Sequence, residues 1–107
     1  MKNIGDLIKK AQQVQLQMGA MHERIGQEVF SGAAGNGAVT VELTGKGEAK
    51  AVHLNESVVD KADIETLEDL LVVAFNNAKE KIELETNTQM QKLQADLGLP
   101  ANFKMPF

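Results

Sequence analysis

The segment that decides the fold is the run Val39-Thr40-Val41-Glu42-Leu43-Thr44, followed by Gly45-Lys46-Gly47 and a second run that ends at Leu54. Apolar and polar residues alternate in the first run, which predicts a strand over residues 39–44 with one buried face. The two glycines supply the backbone freedom of a tight hairpin turn. A returning strand is therefore predicted over residues 48–54, with Val52 and Leu54 as its inward pair.

Immediately before this hairpin, the sequence predicts one further strand. Residues 28–31 are a short strand candidate, and the segment from Gly32 to Gly37, with two alanines and Asn36, has the composition of a turn. The three strands follow one another through short connections, which favours an antiparallel meander.

The N-terminal segment carries the periodicity of a long helix, predicted over about residues 3–25 with Asn3 as its N-cap. Apolar residues recur there in alternating steps of three and four, which is a heptad pattern. So narrow an apolar stripe is typical of a seam between two helices. The candidates for a dimer seam are Leu7, Ala11, Val14, Met18, Met21 and Ile25.

The segment after the hairpin predicts a second helical region over about residues 63–97, with Asp63 as its N-cap and Gly98 and Pro100 at its end. A tail of residues 98–107 follows. A continuous helix of that length is about 50 Å long, whereas a compact domain of this size has a radius of gyration near 13 Å, by the usual scaling. The helix therefore has to break, project from the body or lie along another chain.

Together these elements predict a single domain over residues 1–107, of the α/β (α+β) class. It has a long N-terminal helix, a three-stranded antiparallel meander and a long C-terminal helical region. The helical seam and the two open edges of a three-stranded sheet both need partners. A homodimer is the simplest arrangement that covers them.

The composition excludes several classes of protein. The 107 residues include no cysteine, which excludes disulfides, thiolate metal sites and a cysteine nucleophile. No apolar run has the length of a membrane span, and the first residues lack the pattern of a signal peptide, so a cytoplasmic location is expected. The formal net charge of −4 on average disfavours contact with nucleic acid.

No constellation of residues points to catalysis. His22, beside the helical seam, and His53, on a strand, form no metal-ligating pattern. Gly45-Lys46-Gly47 lacks both the first glycine and the Ser or Thr of a phosphate-binding loop. We therefore expect no catalytic residue, no metal and no cofactor.

Charge is distributed unevenly along the chain. Residues 1–25 carry a net charge of +2 and the remainder carries −6. Six acidic residues lie between Glu56 and Asp69, where Lys61 is the single basic residue. The N-terminal helix is therefore net positive, although the chain as a whole is net negative.

A row of long donor side chains follows the first helix. Lys10, Gln17 and Arg24 occupy the same heptad position, and Lys9 lies next to that row. Lysine, arginine and glutamine are side chains that contact phosphates. Because these heptad positions are normally polar in coiled coils, a solvated helix flank is the alternative interpretation. None of the four phenylalanines lies on an alternating basic strand, so contact with duplex backbone is favoured over base stacking.

Several separated motifs resemble one known family. They are Lys10-Ala11-Gln12-Gln13, the glycine and valine pattern from Gly35 to Val41 with Gly45-Lys46-Gly47, Glu68-Asp69-Leu70-Leu71 followed by Ala74, Asn76 and Ala78, and the ending from Leu99 to Phe107. In this order, along nearly the whole chain, they resemble the YbaB/EbfC family of nucleoid-associated proteins.

The resemblance implies a homodimer of α/β subunits whose helices project like tweezer arms. It also implies a bacterial cytoplasmic protein that binds double-stranded DNA, associates with the nucleoid and has no enzymatic activity. The DNA contacts of the family are attributed to its first and last helices. Carried onto this chain, that attribution gives the candidates Lys9, Lys10, Gln13, Gln17, Arg24, Lys79, Lys81 and Lys92.

A second interpretation stays open, in which the chain is a protein-interaction adapter. Its heptad seam, or the tail segment Phe103–Phe107, would dock a partner protein, and any effect on DNA would be indirect. The net charge of −4 favours this alternative.

Overall fold

The computed structural model describes residues 4–98, which begin and end in long helices around three strands. This order confirms the predicted α+β class. Predictions for Asn3 and for the tail beyond Gly98 lie outside the described residues. The elements are α1 (Ile4–Gln27), β1 (Val29–Ala34), β2 (Val39–Thr44), β3 (Ala49–Leu54), a short 3-10 helix (Glu56–Val58) and α2 (Ile64–Asp96).

The three strands form one antiparallel sheet in the order β1-β2-β3, which confirms the predicted meander. Val39, Val41 and Leu43 alternate along β2 and are almost completely buried. They pack with Ala74 and Ala78 of α2, which lies across β1 and β2. The core of the body is therefore a layer of aliphatic side chains between one helix and two strands.

Strand β1 is longer than predicted, because residues 32–34 pair with β2 and do not belong to the turn. The composition of the segment from Gly32 to Gly37 predicts a turn, but Gly32 lies in the strand and allows α2 to pack closely on it. A Cβ at Gly32 would collide with the backbone carbonyl oxygen of Ala74, so only glycine lets α2 approach the strand this closely. The turn itself is confined to residues 35–38, of which Gly35, Asn36 and Gly37 have positive φ.

Val52 and Leu54 lie on the predicted inward face of β3, but they are not buried there. The two side chains are 49% and 42% exposed. They pair directly with Val41 and Val39 of β2 and so share the face on which α2 lies. Alternation in a strand determines which residues share a face. On this face of the sheet α2 covers β1 and β2 but leaves β3 uncovered.

Beyond the sheet, α2 continues without a break and packs against α1. Val14, Met18, Met21 and Ile25 of α1 are buried there, together with Leu93 and the neighbouring Met90 and Leu97. The two helices run antiparallel, since Arg24 lies against Gln89 whereas Gln17 shares a groove with Asp96. We call the two-helix projection formed by α1 and by residues 83–96 of α2 the arm; it contributes to a longest dimension of 71 Å.

Both ends of α2 follow the sequence prediction. The carboxylate of Asp63 accepts hydrogen bonds from the backbone N–H of Thr66 at 3.3 Å and from its hydroxyl at 2.7 Å. At the other end Gly98 has a φ of +69° and donates its N–H to the carbonyl of Ala95. These local caps explain why the bounds of this helix could be predicted from sequence.

Replacement of Gly19 by alanine is expected to stabilise the protein by about 0.5–1 kcal/mol, because glycine is a poor helix former in a helix interior. Gly19 lies inside α1, and apart from its chain neighbours and the backbone of its own helix no heavy atom lies within 4 Å of the position that a Cβ would take. Urea unfolding of both proteins at the same concentration measures the difference. An unchanged or lower free energy of unfolding would contradict this account of Gly19.

Candidate nucleic-acid interface

A polar groove runs between the two helices of the arm and has a volume of about 510 Å³. It forms because the buried seam holds the helices together while the flanking side chains diverge on either side. The lining residues are Gln17, Ala20, Met21 and Arg24 from α1, and Gln89, Lys92, Leu93 and Asp96 from α2.

A short chain of hydrogen bonds positions Arg24 in this groove. Its guanidinium donates to Oε1 of Gln89 at 3.2 Å, and Nε2 of Gln89 donates to Oε1 of Glu85 at 2.8 Å. A guanidinium has five N–H donors, so most of the donor capacity of Arg24 is not used by this bond. The arrangement orients a permanent cation at the rim of the groove.

The charges that line the groove are Arg24, Lys92 and Asp96. The two cations come from different helices, and the carboxylate lies at the end where α2 stops. The groove therefore has a small excess of positive charge together with the amides of Gln17 and Gln89. Such a set of donors suits the oxygens of a phosphate backbone.

Lys9, Lys10 and Gln13 are further candidates, and they extend this surface toward the tip of α1. Lys9, Gln13 and Gln17 follow one another in steps of four, and Lys10 precedes Gln17 by seven, so all four share one side of the helix. Lys9 and Gln13 are exposed and Lys10 is partly exposed. The predicted row on α1 and Lys92 of α2 thus lie along one side of the arm. We call the set of Lys9, Lys10, Gln17, Arg24 and Lys92 the arm row.

Lys79 and Lys81 lie elsewhere. The ammonium of Lys81 donates to the backbone carbonyl of Ser31 at 2.6 Å, at the outer strand of the sheet. The ammonium of Lys79 lies 5.9 Å from the centre of the Phe75 ring. Both residues are on the body of the molecule, so the structure separates them from the arm row.

The candidates for a dimer seam also divide into two groups. Val14, Met18, Met21 and Ile25 are packed against α2 of the same chain. Leu7 and Ala11, nearer the tip of α1, are exposed. A heptad seam requires an apolar partner helix but does not specify which chain supplies it, and here the chain supplies its own.

Gln89 and Asp96 are groove residues that the sequence did not single out. Both lie in the polar second half of α2, where Gln89, Lys92 and Asp96 follow one another at helical steps of three and four. That spacing is a usable signal, but only once α1 is known to pack on the adjacent flank.

The described residues assemble no metal centre. Between residues 4 and 98 no group of three or more His, Asp or Glu side chains is arranged to hold a metal ion. His53 makes an exposed contact of 2.9 Å with Glu42 on the sheet, far from the groove. No helix among the same residues is long and apolar enough to cross a membrane.

Six acidic residues lie at the opposite end of α2 from the groove, between Glu56 and Asp69, around the short 3-10 helix and the start of α2. Glu83, Glu85 and Asp96 lie on the arm itself. From Glu68 to Lys92 the distance along the helix is about 36 Å. Because the Debye length is about 8 Å at physiological salt, the six carboxylates at the far end of α2 have little effect on the potential at the arm.

Comparisons with known proteins identify the family and the fold. A sequence model of the YbaB/EbfC DNA-binding family matches residues 1–97. A nucleoid-associated protein of Granulibacter bethesdensis and one of Rhodospirillum centenum are each 45% identical to the chain over 107 residues, the full length of both partners. An uncharacterized protein of Helicobacter pylori has the same fold, with a TM-score of 0.74 at 17% identity, covering 87% of this chain and 98% of its own.

Proposed function

The chain belongs to the YbaB/EbfC DNA-binding family, and from this premise we propose that it is a nucleoid-associated protein that binds double-stranded DNA as a homodimer. The observation that carries the proposal is the arm row, in which Lys9, Lys10, Gln17 and Arg24 of α1 lie on the same side as Lys92 of α2. The site proposed for DNA is therefore the projecting part of the molecule, and the location proposed is the nucleoid within the cytoplasm.

Contacts at this site are to phosphates and not to base edges. Lysine and arginine neutralise phosphate charge, and glutamine donates from a neutral amide. The described part of the arm has no aromatic side chain on its polar side that could stack on a base. Low sequence specificity follows, because phosphate contacts position a protein without distinguishing base pairs.

A dimer strengthens this mode of binding. A two-fold axis duplicates the arm row, and two arms contact more phosphates than one. Each neutralised phosphate releases bound counterions from the duplex, so the gain in affinity depends on salt.

We expect the affinity for duplex DNA to fall about 10³-fold between about 50 and 200 mM salt, the change that six or more phosphate contacts produce. Fluorescence anisotropy with a labelled duplex measures this at several salt concentrations. A second duplex of the same length and different sequence is the control, and its affinity should agree within about threefold because phosphates carry the contact.

Two outcomes would overturn the proposal. One is binding whose strength does not change with salt. The other is an absence of binding at low salt, combined with capture of partner proteins from a lysate treated with nuclease, which would favour the adapter.

A further inference from the structure

The apolar seam of α1 is longer than the part of α2 that covers it. Arg24 lies against Gln89 and Gln17 shares a groove with Asp96, so α2 ends opposite the middle of α1. Residues 4–13 of α1 extend past that end by about 15 Å, at the rise of an α-helix. Among the described residues 4–98, this tip of the arm therefore has no helix beside it.

The seam stays apolar over the tip. Ile4, Leu7 and Ala11 continue the spacing of three and four that leads to the buried Val14, but all three are exposed. Ile8, at the edge of the stripe, is exposed as well. We call the surface formed by Ile4, Leu7, Ile8 and Ala11 the tip seam. A contiguous group of exposed apolar side chains is typical of a surface that another segment covers.

The chain continues from the point where the cover stops. Residues 99–107 follow Gly98, and both prolines of the chain lie among them, which favours an extended backbone over a helix. Nine extended residues span up to about 30 Å, twice the length of the tip. Four of the nine have large apolar side chains, namely Leu99, Phe103, Met105 and Phe107.

The end of α2 directs this segment toward the seam. Gly98, at a φ of +69°, donates its N–H to the carbonyl of Ala95, which is one of the two bonds of a Schellman helix end. In that motif the residue after the glycine packs against the last turn of the helix. The rule pairs Leu99 with Leu93, and Leu93 is buried against α1. The segment is therefore expected to leave α2 on the side that faces α1.

We propose that residues 99–107 continue along α1 of the same chain, toward its N-terminus, and cover the tip seam with the rings of Phe103 and Phe107. A short tether gives a linked segment an effective concentration in the millimolar range. Contact within one chain is therefore favoured over a second copy or another protein at micromolar concentration. This inference goes beyond the proposed function, since it requires neither DNA nor a dimer.

The contact leaves the arm row accessible. Lys9 follows Leu7 by two residues, which is about 200° around the helix, so its side chain points away from the tip seam. Lys104 is the single charged residue of the segment. The covering segment therefore adds one cation to the tip and no carboxylate side chain.

A nitroxide spin label on the segment tests its position in the full-length protein. The chain has no cysteine, so Lys104→Cys provides a single attachment site and keeps every apolar side chain of the segment. We expect the amide signals of residues 5–11 to lose most of their intensity, relative to the same sample after reduction of the nitroxide. A segment that does not cover the seam would instead broaden the signals beside its anchor most, at residues 15–17 and 94–98, and would overturn the proposal.

A matched pair of leucines on α1 tests the surface itself. Leu7 lies on the tip seam, and Leu16, nine residues further, lies half a turn around the same helix. The two side chains are 58% and 75% exposed, so neither Leu7→Ser nor Leu16→Ser removes a core contact. In the spin-labelled protein, Leu7→Ser should shift the strongest broadening back to the anchor, whereas Leu16→Ser should leave it at residues 5–11. Equal effects of the two substitutions would show that the tip seam is not the surface covered.

Hydrogen exchange tests the contact without a label. We expect the amides of residues 8–13 to exchange about tenfold faster in Phe103→Ser/Phe107→Ser, because a helix end without tertiary packing opens readily. Lys104→Ser is the control, since it changes a polar residue of the same segment. The amides of β2 should exchange at the wild-type rate in both variants, which establishes that the body is intact. Unchanged rates at residues 8–13 would contradict the proposal.

A mixed sample separates the two possible sources of the segment. Protein that carries ¹⁵N but no nitroxide is refolded with an equal amount of nitroxide-labelled protein that carries no ¹⁵N. Broadening at residues 5–11 in this sample would assign the tip seam to the segment of a second copy and overturn contact within one chain. None of these measurements uses DNA, so their failure would leave the proposed function intact, and a failure of DNA binding would leave this contact intact.

Discussion

Replacement of Gly32 by alanine is expected to lower the midpoint of thermal unfolding by about 15 °C. Overpacking in a well-packed core costs about 1–3 kcal/mol, and each kilocalorie shifts the midpoint of a domain of this size by about 4–8 °C. The upper part of that range applies because the added Cβ would meet the backbone of α2 at Ala74 and Ala78. Backbone atoms, unlike the end of a side chain, cannot rotate away.

Differential scanning calorimetry at one protein concentration measures the shift, since the midpoint of a dimer depends on concentration. Gly19→Ala is the matched control, because it makes the same chemical change at a glycine with open space around it. The two variants should move the midpoint in opposite directions. A Gly32→Ala protein as stable as wild type would show that α2 does not pack on β1 as described.

Reversal of charge in Lys9→Glu/Lys10→Glu is expected to weaken duplex binding at least hundredfold at moderate salt. Both residues lie on the part of α1 beyond the end of α2, and neither belongs to the buried cluster that joins the two helices. The change removes two cations from each chain and places two carboxylates in the arm row. In a dimer that loses four phosphate contacts, the slope of log K against log salt should decrease by about 3.6.

The control for total charge is Lys50→Glu/Lys61→Glu, in which two exposed lysines of the body are reversed. Its net charge changes by the same amount, but its affinity should fall far less, because these positions are remote from the arm row. Sedimentation of both variants establishes that each has the wild-type oligomeric state. Equal losses of affinity in the two variants would mean that total charge, and not the arm, governs binding.

Much of the local structure could be predicted from the sequence. The alternation around Val41 predicts strand β2, and Asp63 and Gly98 mark the two ends of α2. These signals act over a few residues, through side-chain periodicity, capping bonds and backbone freedom. For that reason they can be detected without knowledge of the rest of the fold.

The candidate site was predicted only in part. Lys10, Gln17 and Arg24 follow from the heptad pattern of α1, because seven-residue spacing places them on one side of a helix. Gln89 completes the groove by accepting from Arg24, a residue 65 positions away in the chain. Lys79 and Lys81 were grouped with Lys92 as cations of the last helix, but the structure places them against Phe75 and Ser31 on the body.

By itself the sequence determined the class of the fold, the order and approximate bounds of its elements, the antiparallel pairing of its strands and the basic row on α1. Only the tertiary structure decided that the seam of α1 closes on α2 of the same chain, that Gly32 lies beneath that helix, and that Val52 and Leu54 stay uncovered. The physical reason is that periodicity specifies which side of an element is apolar, whereas contacts between distant segments determine what that side packs against.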